Sequence, residues 1–257
     1  MPPHALRTTY ELDPRTDPLP TADPLCRWAA GHPDGGSRAF VRGAAVAVAA
    51  PGLSMRDRLV VTGPSGDAVP LVRDVLEAVG PGYRPLGDRA LIDAMVAGLP
   101  GLHPVAAFGW MDRSATPAPP AAAEPTPLSP SAAWLTEGDR VAVGALLDEA
   151  FPESYAYPGR PGARDRWAGV RDGGRLAAVA ALAWCAPTVG FLAGVATAPA
   201  ARGRGLGRVV CAFTVERALA EYGTAALIVD DANTAALRLY RGLGLAYRPL
   251  GAASLSR

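Results

Sequence analysis

The stretch Gly194–Phe213, GVATAPAARGRGLGRVVCAF, places three glycines directly before a long run of apolar residues with helical spacing. Gly203, Gly205 and Gly207 fall within five positions, although each glycine costs a helix roughly 1 kcal/mol relative to alanine. Without a Cβ, however, their amides can approach a large anion, and the first amides of a helix carry unpaired N–H groups and the positive end of its dipole. The stretch therefore predicts a strand, a phosphate-binding loop suited to pyrophosphate, and a helix. A flexible glycine-rich surface loop is the alternative.

Arginines flank these glycines. Arg202, Arg204 and Arg208 would add charge-assisted hydrogen bonds to a bound phosphate. A dinucleotide-binding fold is the main rival, because its fingerprint is G-x-G-x-x-G with an acidic residue about twenty positions later. Here the glycines are spaced G-x-G-x-G, one residue closer, and they follow the fourth strand of their unit rather than the first. The spacing disfavours a nicotinamide-dependent oxidoreductase.

Residues 132–257 alternate strand-like and helix-like segments around this loop. The sequence Asp172-Gly173-Gly174 separates two apolar runs and predicts a hairpin turn. Gly223 predicts the end of the helix that follows the loop, while Asn233 and Gly244 predict the start and the end of a second helix. The predicted order is strand, one or two helices, three strands, helix, strand, helix, strand. This order indicates an α/β fold, a mixed sheet with helices on both faces.

A proline- and alanine-rich segment, Ser114–Ala133, interrupts the chain near its middle. Such a composition is typical of an extended, semi-rigid linker. The sequence therefore predicts an N-terminal domain at residues 1–113, a linker at 114–131 and a C-terminal domain at 132–257.

The N-terminal half repeats the C-terminal pattern in a weaker form. Its segments FVRGAAVAVAAP, RLVVTG and VPLVRDVLEAVG follow one another as strand, strand and helix, like the segments around the glycine loop. This predicts an internal repeat whose first copy has lost the loop, and chance similarity between alanine-rich sequences is the alternative. The segment Val61–Pro70, VTGPSGDAVP, lacks a lysine and is interpreted as a turn.

Composition excludes several classes of protein. The net charge is +1, so the sequence lacks the excess of basic charge that is typical of proteins that bind nucleic acid or an anionic membrane. All basic side chains apart from histidine are arginine, so a Walker P-loop and a catalytic lysine are excluded. Histidine occurs only at positions 4, 32 and 103, so residues beyond 103 offer neither a histidine base nor a histidine metal ligand. No metal is predicted.

Cysteine and hydropathy point to the cytoplasm. Cys26, Cys185 and Cys211 are odd in number and far apart, which favours reduced thiols over a disulfide framework. The first twenty residues contain no apolar segment typical of a signal peptide. The longest apolar run, Leu176–Pro187, is too short to span a bilayer. We expect a cytoplasmic protein without a membrane partner.

Two motifs together resemble the GCN5-related N-acetyltransferase (GNAT) family. The family signature R/Q-x-x-G-x-G/A is matched by Arg202, Gly205 and Gly207, between a strand and a long helix. A second block, an Asn followed by a helix that carries Leu-Tyr and ends in Leu-Gly, stands at Asn233–Leu245. The resemblance covers about residues 132–257 and is closest to the FR47-like and glycine-acyltransferase-like branch. It implies a mostly antiparallel GNAT sheet. A tandem pair of GNAT-like halves would account for the weaker repeat of this pattern in the N-terminal half.

The resemblance implies a binding site for acetyl-CoA. The amides from Gly203 to Arg208 would hold the pyrophosphate, and the strand around Val195 would pair with the pantetheine arm. The predicted cofactor-binding residues are Val195, Ala196, Thr197, Arg202, Gly203, Arg204, Gly205, Leu206, Gly207, Arg208 and Asn233. Asn233 would either bond the arm or cap its helix.

Catalytic roles also follow from the resemblance. The Val195 amide would stabilise the oxyanion. Tyr240 takes the position of the family's general acid, where a phenol near pKa 10 can protonate a leaving thiolate near 8.5 if the two are held close. Packing of Tyr240 against the sheet is the structural alternative. The general base is open: the glycine-loop strand carries no acid, Asp230, Asp231 and Glu153 are candidates, and water or a neutral amine needs no side-chain base.

These observations predict an N-acetyltransferase that transfers acetyl from acetyl-CoA to an amine by direct attack in a ternary complex. A CoA-binding regulatory module without turnover is the alternative. The acceptor is a small-molecule or peptide amine. The N-terminal half either shapes a wall of the acceptor site or forms a subunit interface, so a monomer and a homodimer both remain open.

Overall fold

The computed structural model describes residues 8–32, 36–115, 131–160 and 164–256. The N-terminal half contains β1 (Tyr10–Leu12), α1 (Pro24–Ala30), β2 (Arg38–Arg42), β3 (Ala45–Leu53), β4 (Arg56–Thr62), α2 (Ser65–Val79), β5 (Arg84–Asp88), α3 (Arg89–Gly98) and β6 (Leu102–Ser114). The C-terminal half contains β7 (Ala132–Trp134), α4 (Arg140–Ala150), β8 (Arg166–Asp172), β9 (Arg175–Leu182), β10 (Gly190–Thr197), α5 (Leu206–Tyr222), β11 (Thr224–Val229), α6 (Thr234–Arg241) and β12 (Ala246–Leu255). The predicted linker lies almost entirely outside the described residues.

The two halves have the same order of elements: strand, helix, three strands, helix, strand, helix, strand. All twelve strands form one sheet, in the order β1-β2-β3-β4-β5-β12-β6-β11-β10-β9-β8-β7. Only the pairs β4–β5 and β10–β11 are parallel among the described strands. The prediction of an α/β fold with a mixed, mostly antiparallel sheet is therefore confirmed. The division into two domains and a degenerate first copy stays a prediction, because a shared order of elements does not establish it.

The last strand of each half is exchanged. β6, which ends the N-terminal half, pairs with β11 of the C-terminal half, and β12 pairs with β5 of the N-terminal half. β6 and β12 also pair with each other over a long antiparallel register from Leu102–Leu255 to Asp112–Ala246. Each half therefore completes the sheet of the other.

Helices cover both faces of the sheet. Neighbouring residues of a strand point to opposite faces, and Trp110 of β6 belongs to the core under α1 and α4 while Met111 belongs to the core under α5 and α6. Helices α2 and α3 cover a third core over the N-terminal strands. The first core has an aromatic centre, in which Trp28 stacks on Phe191 with ring centroids 4.2 Å apart.

Two local predictions need correction. The segment Val61–Pro70 is not a turn: it is the end of β4 followed, after Gly63 and the N-cap residue Pro64, by the first turns of α2. Helix α6 ends at Arg241 with Gly242 as its C-cap, two residues before the predicted stop. Gly244, at φ 82°, makes the turn into β12 instead.

Candidate active site

The glycine loop presents a row of unpaired backbone amides. Within the described residues, none of the six amides from Gly203 to Arg208 donates to a protein acceptor, while the next amide, that of Val209, bonds the Gly205 carbonyl at 3.1 Å. The N-cap of α5 is Gly205, which has no side chain to satisfy the first turn. A helix start of this kind attracts anions through both its free N–H groups and its dipole.

The three loop glycines serve different purposes. Gly203 and Gly205 have φ 76° and 77°, a conformation that side chains disfavour, and a Cβ on either would meet nothing within 4 Å. Their outer surface is therefore open to a ligand. A Cβ on Gly207 would instead lie 2.9 Å from Oγ1 of Thr197. Gly207 thus allows α5 to pack closely against the end of β10.

The strands on either side of the loop separate. β10 and β11 pair only at Gly190–Ala225 and Phe191–Ala226. The register of β10 with β9 shifts between Ala193 and Ala196, so Gly194 and Val195 have no register partner in either neighbouring strand of the described sheet. The result is a gap between β10 and β11, beside a bulge in β10 at Gly194 and Val195.

Two connected depressions follow from this gap. The outer groove has a volume of about 650 Å³, and the inner cleft between β10 and β11 about 580 Å³. Both are lined by Phe151, Val195, Asn233 and Ala236, so the two depressions are adjacent. The outer groove is further lined by predicted residues Ala196, Thr197, Arg202, Gly203, Gly205, Leu206, Gly207 and Arg208.

The loop arginines take different partners. Nε of Arg202 donates to the Thr197 carbonyl at 3.3 Å, and Nη2 of Arg208 donates to the Gly242 carbonyl at 3.1 Å. Both line the outer groove. Arg204 does not; its guanidinium forms a two-bond ion pair with Asp172 in the β8–β9 turn, at 2.5 and 3.1 Å. Of the predicted phosphate-binding side chains, Arg204 is the one directed elsewhere.

Asn233 caps α6. Its Oδ1 accepts from the amide of Ala236 at 3.0 Å, as expected for an N-cap. Asn233 lines both the outer groove and the inner cleft.

Tyr240 lies in the wall of the inner cleft. Its side chain is buried, and within the described residues its hydroxyl forms no hydrogen bond. Burial, assisted by the nearby Cys211, raises the pKa of Tyr240 well above 10. The hydroxyl therefore remains a proton donor at neutral pH.

The three candidate carboxylates differ in their surroundings. Asp231 lies outside the inner cleft and accepts from Tyr247 at 2.7 Å and from Arg89 at 2.6 Å. Burial acts to raise the pKa of Asp231, but these two hydrogen bonds outweigh it and the pKa is lowered, which makes Asp231 a weak base. Asp230 lines the cleft, with Oδ1 accepting from the Ala232 amide at 2.8 Å. Glu153 lies in the exposed loop after α4.

The corresponding region of the N-terminal half is closed. β4 and β5 remain adjacent at their C-terminal ends, where a Cβ on Gly87 would lie 2.5 Å from the Val61 carbonyl oxygen. At the start of α2 the buried Asp67 accepts from the Ala44 amide at 3.0 Å. A carboxylate at this position repels an anion, so the described part of the N-terminal half shows neither the gap nor the anion site.

Sequence reasoning missed two features of the cleft. Trp167 of β8 supports the bulge at Gly194, and Phe151, directly after α4, lines both depressions. Residues of the N-terminal half also reach the loop after α4: Nη2 of Arg56 donates to the Tyr155 hydroxyl at 3.1 Å. No local sequence signal marks contacts across 99 positions of chain.

The described part of the chain contains no helix long and apolar enough to cross a membrane. Nor do its histidine, cysteine and carboxylate side chains form a group of three that could hold a metal ion.

Comparisons with known proteins agree with this geometry. Residues 132–245 match the model of the Acetyltransferase (GNAT) family. None of the curated proteins matches the chain. Among solved structures, a GCN5-related N-acetyltransferase from Kribbella flavida is similar, with 21% identity, a TM-score of 0.59, and coverage of 92% of this chain and 97% of that chain.

Two further solved structures share the fold. A putative acetyltransferase of the GNAT family from Novosphingobium aromaticivorans has 21% identity and a TM-score of 0.52, over 91% of this chain and 97% of that chain. A GCN5-related N-acetyltransferase from Sphaerobacter thermophilus has 17% identity and a TM-score of 0.55, over 84% and 79%. These similarities extend over both halves of the chain.

Proposed function

Since residues 132–245 match the model of the GNAT acetyltransferase family, we propose that the protein transfers an acetyl group from acetyl-CoA to an amine by direct attack in a ternary complex. The observation that carries this proposal is the row of six unpaired amides from Gly203 to Arg208, at the head of a groove that continues into the gap between β10 and β11. The site suits a long ligand with a pyrophosphate at one end.

The residues present fit this ligand. The open surface over Gly203 and Gly205 would admit the pyrophosphate to the loop amides, and Arg202 and Arg208 would add positive charge beside it. The backbone at Val195, which has no register partner in the described sheet, would bond the pantetheine arm as a neighbouring strand does. Acetyl-CoA would supply an acetyl group activated as a thioester.

Two groups of the protein would act on the reacting atoms. The Val195 amide would donate to the carbonyl oxygen as negative charge develops there. The Tyr240 hydroxyl, protonated and without a protein partner in the described residues, would give its proton to the departing sulfur. Burial raises the pKa of Cys211 to about 12, so this thiol is not a nucleophile and direct attack by the amine is favoured over an acyl-enzyme.

The acceptor would lose its proton to water or arrive as the neutral amine. Asp230 is the carboxylate that lines the cleft, but one of its oxygens is already held by the Ala232 amide. The N-terminal half, proposed as a degenerate copy of the same fold, would shape a wall of the acceptor site through the contact of Arg56 with Tyr155.

Calorimetric titration with acetyl-CoA, with NADPH as the control ligand, tests the binding step. We expect saturable binding of acetyl-CoA and none of NADPH. Absence of acetyl-CoA binding contradicts the proposal. Binding followed by no thiol release with any amine would favour a non-catalytic CoA-binding module.

A further inference from the structure

Three arginines of the N-terminal half form a cluster on one face of the sheet. Arg56 and Arg58 are two residues apart on β4 and so point to the same face, and Arg84 is the register partner of Arg58 on the parallel strand β5. The carboxylate between them in sequence, Asp57, belongs to the opposite face and accepts from the Gly52 amide at 2.9 Å. We call Arg56, Arg58 and Arg84 the arginine cluster.

The positive charge of the arginine cluster is not balanced by the described residues. Arg58 is only 9% exposed, yet its one hydrogen bond there runs from Nε to the Leu53 carbonyl at 3.0 Å, and none of the three forms an ion pair with a described carboxylate. Burial lowers the pKa of Arg58 to about 10; Tyr155 acts to raise this pKa, while the positive charges of Arg56 and Arg84 lower it further. A buried guanidinium without a counter-charge costs stability, and an anionic ligand would remove that cost.

The arginine cluster lies beside the covering of the inner cleft. Phe151 lines the cleft, and the Ala156 methyl lies 3.3 Å from where a Cβ of Gly194 would be. Tyr155, next to Ala156 in the chain, accepts from Nη2 of Arg56 at 3.1 Å, and the Arg56 guanidinium lies 5.6 Å from its ring centre. The loop after α4, which contains Phe151 and Ala156 beside the cleft, therefore contacts the arginine cluster through Tyr155.

Arg160, which lies near the arginine cluster, already has a carboxylate to balance its charge. Nη2 of Arg160 is paired with Asp165 at 2.7 Å, and Nη1 lies 3.3 Å from Sδ of Met55. Met55 and Ser54 occupy left-handed conformations, at φ 63° and 51°, in the turn that leads into β4. This strained turn carries Arg56 towards Tyr155.

We propose that the acceptor amine carries an anionic group, a carboxylate or a phosphate, and that the arginine cluster binds this group while the amine reaches the cleft at Gly194. The inference rests on the proposed acetyl transfer and names the class of its acceptor. The Tyr155 hydroxyl, which accepts from Arg56, would donate a further hydrogen bond to the same anionic group.

Matched pairs of amines test the inference through the rate of thiol release from acetyl-CoA. We expect kcat/KM for 6-aminohexanoate to exceed that for hexylamine, or that for phosphoethanolamine to exceed that for ethanolamine, by about tenfold or more, the contribution of one charge-assisted hydrogen bond. The pair of amines that shows the preference tells carboxylate from phosphate.

Two variants test the role of the arginine cluster. In Arg84→Gln the preference for the anionic amine should fall towards unity, whereas Arg73→Gln, a charge-matched change on the exposed surface of α2, should retain it. Equal or reversed preference in the wild type, or full preference in Arg84→Gln, overturns the inference.

A stability measurement separates this inference from the proposed function. Sulfate added to the CoA-saturated protein should raise the unfolding midpoint of the wild type and of Arg73→Gln more than that of Arg58→Met, because the last lacks the buried guanidinium. Without sulfate, Arg58→Met should be at least as stable as the wild type. If acetyl-CoA does not bind, the proposed function fails, and the difference between wild type and Arg58→Met in sulfate alone still tests the arginine cluster. An equal sulfate response in both contradicts it.

Discussion

Trp167 and Gly194 pack so closely that a Cβ on the glycine would lie 2.6 Å from Cη2 of the indole. Trp167 stands on β8 opposite Ala181 of β9, and Ala181 in turn stands opposite Ala193 of β10. The indole ring therefore extends across the small residues of β9 and packs against the bulge of β10. The same glycine has φ 58°, a conformation that side chains disfavour.

Substituting Gly194 should harm catalysis as well as stability. In Gly194→Ala the methyl group would collide with Trp167 and displace the backbone around Val195, at a cost of about 1–3 kcal/mol in the free energy of unfolding. We expect a large loss in kcat with a smaller change in acetyl-CoA affinity, since the loop amides are untouched. Steady-state kinetics and chemical denaturation measure both.

Gly190→Ala is the matched control for this prediction. Its methyl group would meet Cβ of Ala218 at 2.7 Å, but the backbone is not left-handed and the site lies where β10 still pairs with β11. A similar loss of stability without the loss of kcat is expected. Equal kcat values in the two variants would show that the bulge has no part in the reaction.

The sequence predicted the parts of the site that depend on neighbours along the chain. The glycine loop, the hairpin turn at Asp172–Gly174 and the cap at Asn233 each follow from residues that interact within about four positions. Gly223 likewise ends α5, with φ 77°. Such features need no knowledge of the rest of the fold.

Features that depend on distant residues could not be predicted in the same way. Arg204 pairs with Asp172 across 32 positions, and Arg56 meets Tyr155 across 99. The sequences of β6 and β12 do not reveal that the two strands are exchanged. Each strand would bury the same side chains in a sheet whether it paired within its own half or with the other half. In each case, the choice of partner is decided by the tertiary arrangement.

The phosphate-binding role of the loop predicts a specific effect at Gly205. In Gly205→Ala a side chain would be forced into φ 77° and would cover a surface that is open in the wild type. We expect acetyl-CoA affinity to fall by at least about tenfold, because strain of about 1–2 kcal/mol and a blocked approach to the amides act together. Calorimetric titration measures the change.

Gly223→Ala serves as its control. Gly223 has the same φ of 77° and the same absence of neighbours within 4 Å, but it lies at the opposite end of α5. The two variants should lose similar stability, while Gly223→Ala keeps its acetyl-CoA affinity. If both bind acetyl-CoA equally, the open surface over Gly205 is not where the pyrophosphate lies.

The general-acid role of Tyr240 predicts a particular pH dependence. Burial raises the pKa of Tyr240 above its ordinary value near 10, so the hydroxyl keeps its proton at every pH below about 10. The rate should rise with pH as the amine acceptor becomes neutral, with no decline from this tyrosine below that limit. Because the pKa is raised in the folded state, its contribution to stability is complete below pH 10 and is lost above it.

Tyr240→Phe should lower kcat by about 10²-fold, with little change in acetyl-CoA affinity. Tyr222→Phe is a suitable control, since Tyr222 ends the 17-residue helix α5, about 25 Å from the glycine loop. A kcat for Tyr240→Phe equal to that of the control would leave Tyr240 as a packing residue. Rate profiles from pH 6 to 10 for all three proteins complete the test.

Strand exchange makes the two halves depend on each other. β6 lies between β12 and β11 and carries Trp110 and Met111, both fully buried, into the cores on the two faces of the sheet. A fragment of residues 131–257 would expose the edges of β11 and β12 and would lose these two side chains, each of which contributes about 2–5 kcal/mol when buried. We expect this fragment to be unfolded or aggregated when expressed alone.

Co-expression of residues 1–115 with residues 131–257 should restore the sheet, because the chain between them contributes none of its described pairings. Size-exclusion chromatography should show the two fragments together, and circular dichroism should show the secondary structure of the intact chain. The reassembled pair should also regain acetyl-CoA binding, since the glycine loop and the gap between β10 and β11 are intact within the second fragment. A fragment 131–257 that folds cooperatively and binds acetyl-CoA by itself would show that β6 is dispensable and that the exchange is not what joins the halves.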